Sequence, residues 1–301
     1  MLPTEQRQQL ALGLFMPNCS NMPSISTHRV VQDQWTYEHN ESLALAAERY
    51  GFEYLFPVSR WRGFGGETNF LGTSLETTTW AAALLRATSS INVFSTVHIP
   101  LFHPFVVAKM GATLSHMSGN RWGLNVVSGW SEREFGMMGI SLAEHARRYE
   151  RTSCFVEILK KLWSAEDQPF DYECDWYSVN GGESSPIPDV PPMIANAGVS
   201  EDAKNMTAPI GCRHFSAAII AASVDIQIEH ARPPHMAIKA QFMPNRWMRP
   251  LGAVHAFTSG TANANRFQIF WFAGIDLIGI DNVARMMQLA SQRHSKFGGF
   301  F

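Results

Sequence analysis

The chain has 301 residues, 46% of them hydrophobic and 17% charged, enough apolar material for one large core or two small ones. A formal charge of -2 argues against nucleic acid as the main partner, and no apolar run reaches the roughly 18 residues a membrane span needs. Cys19, Cys154, Cys174 and Cys212 are scattered and form no CxxC pair, so no zinc site or disulfide framework is expected. The polar start MLPTEQRQQL lacks a signal-peptide pattern, and a cytoplasmic location with reduced thiols follows as the expectation.

In chain order, residues 10–17 (LALGLFMP) form a short apolar run suited to a buried strand. Residues 36–50 place Leu43, Leu45, Ala46, Ala47 and Tyr50 on a helical face, and Gly51 ends it. A second strand is predicted over 52–58 (FEYLFPV), and a helix rich in Ala and Leu over 76–88. The run INVFSTVH at 91–98 is rich in β-branched residues and reads as a third strand. Pro104 opens a helix that continues to residue 118. A fourth strand follows at 122–127, then a long helix over 145–163, and MIANAG at 193–198 is a fifth strand. Ser200 stands where it can cap a further helix, SEDAKNMTA.

Strand and helix alternate, which implies a parallel sheet with crossover helices. No GxGxxG turn follows a strand: Gly63, Gly65 and Gly66 sit in a loop with no helix directly after them. The expected fold is therefore α/β, a (β/α)8 TIM-type barrel, rather than a dinucleotide-binding sheet. In such barrels the chemistry sits at the C-terminal ends of the strands.

Those ends carry Ser59, Arg60, Trp61 and Arg62 after the second strand, and Thr96 and His98 after the third. Asn125, Ser128, Gly129, Trp130 and Glu134 follow the fourth; Asn196, Gly198 and Ser200 follow the fifth. Arg60 offers a fixed cation and a planar donor fork to an anion, or is simply solvated. Ser200 offers a hydroxyl and free N–H groups, or is a plain helix cap. Asn125 is an unusual strand residue, read either as a bulge or as a neutral hydrogen-bonding group for a polar ligand. Arg147, Arg148 and Tyr149 open the long helix beside the same mouth, where a bound anion offsets the cost of arginine at a helix start. Glu134 reads by itself as a surface acid. His98 and His103 have no acidic or cysteine partner nearby, so no metal is expected, and the absence of GxSxG removes the commonest hydrolase elbow.

The segments RGFGGETNF (62–70), LETTTWAAALLRATSSINVFSTVH (75–98), VAKMGATLSHMSGNRWGLNVVSGW (107–130) and EFGMMGI (134–140), with RRYERT, together resemble the luciferase-like flavin monooxygenases. RGFGG after the second strand is most similar to the pyrimidine monooxygenase branch, which opens the uracil ring; alkanesulfonate and dimethylsulfone monooxygenases are its neighbours. The resemblance implies a barrel that uses FMN as FMNH2 together with O2, through a flavin peroxide, on a small polar substrate. It also implies a separate NAD(P)H-dependent flavin reductase as partner, and assembly into homo-oligomers. Residue by residue, it places Ser59, Arg60, Asn125, Glu134, Arg148, Tyr149 and Ser200 against the flavin and its phosphate. Thr96 and Asn125 become the catalytic pair at the oxygen-reacting face. Two positions depart from the branch: Arg60 stands where lysine is usual, and Ser59 where an apolar residue is usual.

The resemblance covers residues 12–208, within a single domain over 1–301 whose family-like part is 10–208. Only four of the 26 acidic residues but nine of the 24 basic ones fall in 209–301, and the alternation blurs there. Only residues 272–288 again read as a strand and a helix. The final third is thus atypical, and the alternatives to a pyrimidine oxygenase are an alkanesulfonate- or dimethylsulfone-type monooxygenase and a flavin-binding relative without activity.

Overall fold

The computed structural model describes residues 11–15, 17–20, 34–198, 213–214, 218–219 and 269–272. The first four strands are β1 (Ala11–Phe15), β2 (Tyr54–Phe56), β3 (Asn92–His98) and β4 (Trp122–Val127). Between them lie α1 (Tyr37–Arg49), α2 (Thr77–Ala87) and α3 (Pro104–Ser118). After β4 come a short helix α4 (Glu132–Gly136) and the long α5 (His145–Leu162). An antiparallel hairpin, β5 (Phe170–Glu173) and β6 (Ser178–Gly182), then precedes β7 (Met193–Asn196). Three further strands are β8 (Arg213–His214), β9 (Ala218–Ile219) and β10 (Ile269–Phe272).

Among the described residues the main sheet has eight strands in the order β8-β7-β4-β3-β2-β1-β10-β9, and every neighbouring pair is parallel. The sequence pattern for strands one to five is realised in this order, and the architecture is the expected α/β type. The hairpin β5–β6 was not anticipated: DYECDWYSVNGG alternates too irregularly to read as a strand pair. The predicted strand over 52–58 narrows to three residues, because Pro57 has no N–H to continue a ladder. The expected helix at 200–208 and the helix predicted within 272–288 lie outside the described residues.

Local signals set the helix ends. The Glu76 carboxylate accepts hydrogen bonds from the N–H groups of Thr78 and Thr79 at 2.9 and 2.8 Å and caps α2. Pro104 sits in the first turn of α3, and Gly119, left-handed at φ 65°, closes that helix. Glu48, near the end of α1, accepts from the N–H groups of Ser89, Ser90 and Ile91 just before β3. Burial pushes its carboxyl up, but these hydrogen bonds outweigh that and hold it at about 2.

The two faces of the sheet differ, as the twofold alternation of strand side chains requires. One face carries Leu55, Val93, Val97, Leu124 and Val126 against Trp80 and Leu84 of α2, Val107 of α3, and Phe155 and Leu159 of α5. The other, inner face carries Tyr54, Phe56, Phe94 and Ala195 as a separate apolar cluster. The Phe94 ring leaves no room for a side chain on β4: a Cβ at Gly123 would lie 2.6 Å from its ring carbons. The same alternation puts Thr96 and His98 above Phe94, and Asn125 above Gly123, on that inner face. Among the described residues no helix is long and apolar enough to cross a membrane.

Candidate active site

The end of β2 is tied to its neighbour before any ligand group is placed. Asn18 donates to the carbonyls of Val58 and Leu75 at 2.8 and 3.1 Å and accepts from the Val58 N–H at 3.0 Å. Ser74 donates to the Arg60 carbonyl at 2.8 Å. Cys19 is fully buried here; burial pushes its thiol up to about 12, against the opposing pull of Arg60 and Ser74, so it stays protonated.

From this anchored loop the buried Arg60 side chain meets Glu134 of α4. Glu134 is only 1% exposed, not the surface acid its loop-like sequence context suggested. Its Oε1 accepts from the backbone N–H groups of Trp61 and Arg62, the latter at 3.1 Å, so one carboxylate oxygen shapes the loop after β2. Its Oε2 stands 3.5 Å from Arg60 Nη1. Arg60 Nη2 donates to the Arg62 carbonyl at 2.8 Å, and the guanidinium carbon lies 4.7 and 4.8 Å from the Phe64 and Trp130 ring centres. Lysine has no planar fork with which to make this set of contacts. Phe64 and Trp130 are themselves stacked at 6.1 Å and half exposed, so they form the outer wall of the arginine pocket.

On the inner face, the Thr96 hydroxyl donates to the Pro57 carbonyl at 2.7 Å and accepts from Asn125 Nδ2 at 3.2 Å. Two residues further along β3, His98 is buried, edge-on to Phe135 at 5.3 Å. Burial, and then the nearby Arg60 charge, lower its pKa to about 4, so its imidazole is neutral near pH 7. Gly129, at φ 97°, turns the chain after β4 with Leu142 and Phe135 closing in behind it.

Among the described residues, buried polar atoms without a hydrogen-bond partner concentrate here: Asn125 Oδ1, Arg60 Nε, His98 Nδ1, and the ion-paired Glu134 Oε2 and Arg60 Nη1. Buried polar groups are almost always paired, so such a cluster is the mark of a place where a polar ligand supplies the partners. The atoms include acceptors, donors and a neutral ring nitrogen, a set suited to a polar heterocycle that carries both N–H and C=O groups.

The structure joins Arg60 to Glu134 and Thr96 to Asn125, with Ser59 buried beside Arg60. Arg148 and Tyr149 stand on α5, linked to the end of β4 through Thr152, whose hydroxyl bonds to the Arg148 carbonyl at 2.9 Å and to Ser128 at 2.8 Å. Among the described residues neither hydrogen-bonds to the other two pairs. Arg148 holds the His145 ring at 3.1 Å and keeps a buried Nε without a partner. Ser200 lies outside the described residues. Sequence reasoning missed Thr77, Cys19, Phe64 and Phe135, all of which support the site; none has a local spacing that marks it.

The chain matches the model of the luciferase-like monooxygenase family over residues 12–233. The chain belongs to the luciferase-like monooxygenase family. Members named pyrimidine monooxygenase RutA, from Shigella flexneri and from Escherichia coli O7:K1, are 35% identical to it over 202 residues, or 66% of this chain. The matched region covers 52% and 60% of those proteins, so the chain spans about half the length of the curated relatives it matches. Among solved structures, EDTA monooxygenase from Chelativorans sp. BNC1 superposes with a TM-score of 0.62 at 19% identity, covering 70% of this chain and 54% of that one. A riboflavin lyase crystallised with modified FMN and riboflavin gives 0.61 at 22% identity, covering 69% and 54%. At these identities the structural matches carry the fold, which is that of the TIM-barrel monooxygenases.

Proposed function

We propose that this luciferase-like family member is a flavin-dependent monooxygenase that acts on a pyrimidine-like ring amide. The observation that carries the reading is the cluster of buried atoms on Arg60, His98, Asn125 and Glu134 that have no hydrogen-bond partner among the described residues, at the C-terminal end of the inner face. The kinship with proteins named pyrimidine monooxygenase supports the substrate class. The residues fit a flavin: Asn125 Oδ1 is an open acceptor, Arg60 Nε an open donor beside the Arg60–Glu134 ion pair, and Arg148 keeps a buried guanidinium nitrogen for an anion, each without a hydrogen-bond partner among the described residues.

In this reading Arg60, Asn125 and Glu134 hold the flavin ring, with Ser59 beside Arg60. Arg148, Tyr149 and Ser200 serve the phosphate side. Reduced flavin supplies the electrons that activate O2. Thr96 and Asn125 present neutral hydrogen-bonding groups at the reacting face and hold no ionisable proton there. His98, neutral near pH 7, adds no charge close to the reacting ring. Phe56, Phe94 and Phe135 keep water from the site below and behind these groups. FMNH2 comes from a separate NAD(P)H-dependent flavin reductase, the enzyme is cytoplasmic, and copies of the chain assemble into a homo-oligomer over a single domain spanning 1–301.

The test combines purified chain, FMN, a flavin reductase, NADH and uracil under air. Uracil loss that requires both O2 and the chain is expected. FMN binding with no loss of uracil, of an alkanesulfonate or of dimethylsulfone would replace this reading with that of a non-catalytic flavin-binding relative.

A further inference from the structure

Thr77 is the first residue of α2 and is 1% exposed. Its hydroxyl donates to the Thr96 carbonyl at 2.6 Å and accepts from the Thr96 N–H at 3.2 Å. The sheet explains why a side chain does this work. The β2–β3 ladder ends at the Leu55–Val93 pair, so further along β3 no strand residue of β2 faces Thr96. In a parallel sheet the N–H and C=O of one residue point toward the same neighbour. Thr96 therefore has two backbone groups on an edge that β2 has left, and one hydroxyl satisfies both.

The consequence passes to Asn125. The Thr96 hydroxyl has one proton, and the Pro57 carbonyl, which can only accept, takes it at 2.7 Å. Toward Asn125 that hydroxyl has only a lone pair left, so the amide must turn its NH2 to Thr96, as the 3.2 Å bond records. The Asn125 carbonyl oxygen is then the end left open: it is buried and has no hydrogen-bond partner among the described residues, on a residue 4% exposed. An open buried acceptor favours a ligand that brings a donor.

We infer that Thr77 is a positioning residue that, through Thr96, holds the Asn125 amide with its carbonyl outward, so that this point of the site selects a ring N–H donor. The inference rests on the flavin and pyrimidine reading above and deepens it. Reduced flavin carries an N–H on its central ring where oxidised flavin carries only a lone pair; a pyrimidine ring amide carries N–H as well. The two sources share the donor and are separated by titrating each alone.

The experiment measures binding of anaerobically reduced FMN, oxidised FMN and uracil to the full chain by ultrafiltration, for wild type, Thr77→Val and Thr77→Ser. Wild type is expected to bind one N–H-bearing ligand tightly: reduced over oxidised FMN by about tenfold or more, equivalent to about 1.4 kcal/mol, or uracil if the pyrimidine ring is the partner. A tenfold preference for reduced FMN raises the bound two-electron potential by about 30 mV. Thr77→Val should bring the ratio close to one, or weaken uracil about tenfold, while Thr77→Ser, which keeps the hydroxyl, restores it. Thr77→Ala removes the same hydroxyl and replaces the valine variant if that one does not fold. A folded Thr77→Val chain with wild-type affinities for all three ligands overturns the inference, as does equal wild-type affinity for both FMN forms with no uracil binding. Failure of wild type to bind any of the three sinks the flavin and pyrimidine reading instead. Amide hydrogen exchange in the flavin-free chain then decides the latch: faster exchange of the Thr96 N–H in Thr77→Val supports it, and unchanged protection overturns it.

Discussion

The inner face of the sheet has two ends built on the same strands, and they are opposites. At the lower end Tyr54, Phe56 and Phe94 pack ring against ring, with Phe56 and Phe94 at 4.8 Å and Tyr54 and Phe94 at 5.8 Å. One rung up, Thr96 and Asn125 bring hydrogen-bonding groups onto the same face, and His98, Arg60 and Glu134 follow with atoms that have no hydrogen-bond partner among the described residues. The lower end resolves its packing and needs nothing else. The upper end keeps buried polar atoms open, a cost in stability that a bound ligand offsets. The lesson is that strand alternation fixes a face, while height along the strand decides whether that face is core or site.

The comparison predicts that truncation at the lower end costs stability, and that truncation at the upper end costs ligand affinity or rate. Phe94→Ala tests the lower end most severely, with an expected loss of about 3–5 kcal/mol in denaturant unfolding; a loss under 1 kcal/mol would break the contrast. At the upper end Glu134→Ala is the exception, because it strands a buried arginine and frees two loop N–H groups. It should cost a similar amount, about 3–5 kcal/mol, and Glu134→Gln should recover part of it by keeping an acceptor for Trp61 and Arg62.

His98 gives a pH version of the same contrast. In the folded chain its ring stays neutral down to about pH 4, whereas its ordinary value is 6.5. The unfolded chain thus binds this proton first: stability is unaffected above pH 6.5 and is lost as pH falls from 6.5 to about 4. The loss amounts to about 3 kcal/mol at most, with the Arg60 charge facing the ring throughout. His98→Gln should flatten that part of the stability–pH curve, and an unchanged slope would show that the ring titrates elsewhere. Gly123→Ala comes next, at about 1–3 kcal/mol, because the new methyl group meets the Phe94 ring. Asn125→Ala should have the smallest effect on unfolding, within about 1 kcal/mol, since it removes an open acceptor. Under the proposed function it should nevertheless abolish oxygenation more than flavin binding; stopped-flow oxidation of FMNH2 with an unaltered course and product yield would contradict this.

Much of this was legible in the residues. The alternation of 91–98 and 122–127 placed Thr96 and Asn125 at strand ends, and the barrel rule made those ends a site. Arg60, just past the second strand, and Glu134, in EFGMMGI, are both placed against the flavin by the family resemblance. Their direct contact was not legible, because it joins loops after different strands. Thr77 was invisible for a similar reason: as a helix-opening threonine it looks like any residue in a first turn. Its role appears only where β2 stops short of Thr96.

The sequence by itself determined the order of β1 to β4, of α1, α2, α3 and α5, and of β7, together with the apolar lower rungs and the polar strand ends, because each depends on residue types at short, regular spacing. Tertiary structure alone decided that Glu134 is buried against Arg60, that His98 stays neutral, and which end of the Asn125 amide is open. Those outcomes depend on desolvation and on a count of donors and acceptors, here Pro57, Thr77, Thr96 and Asn125, that only folding brings together.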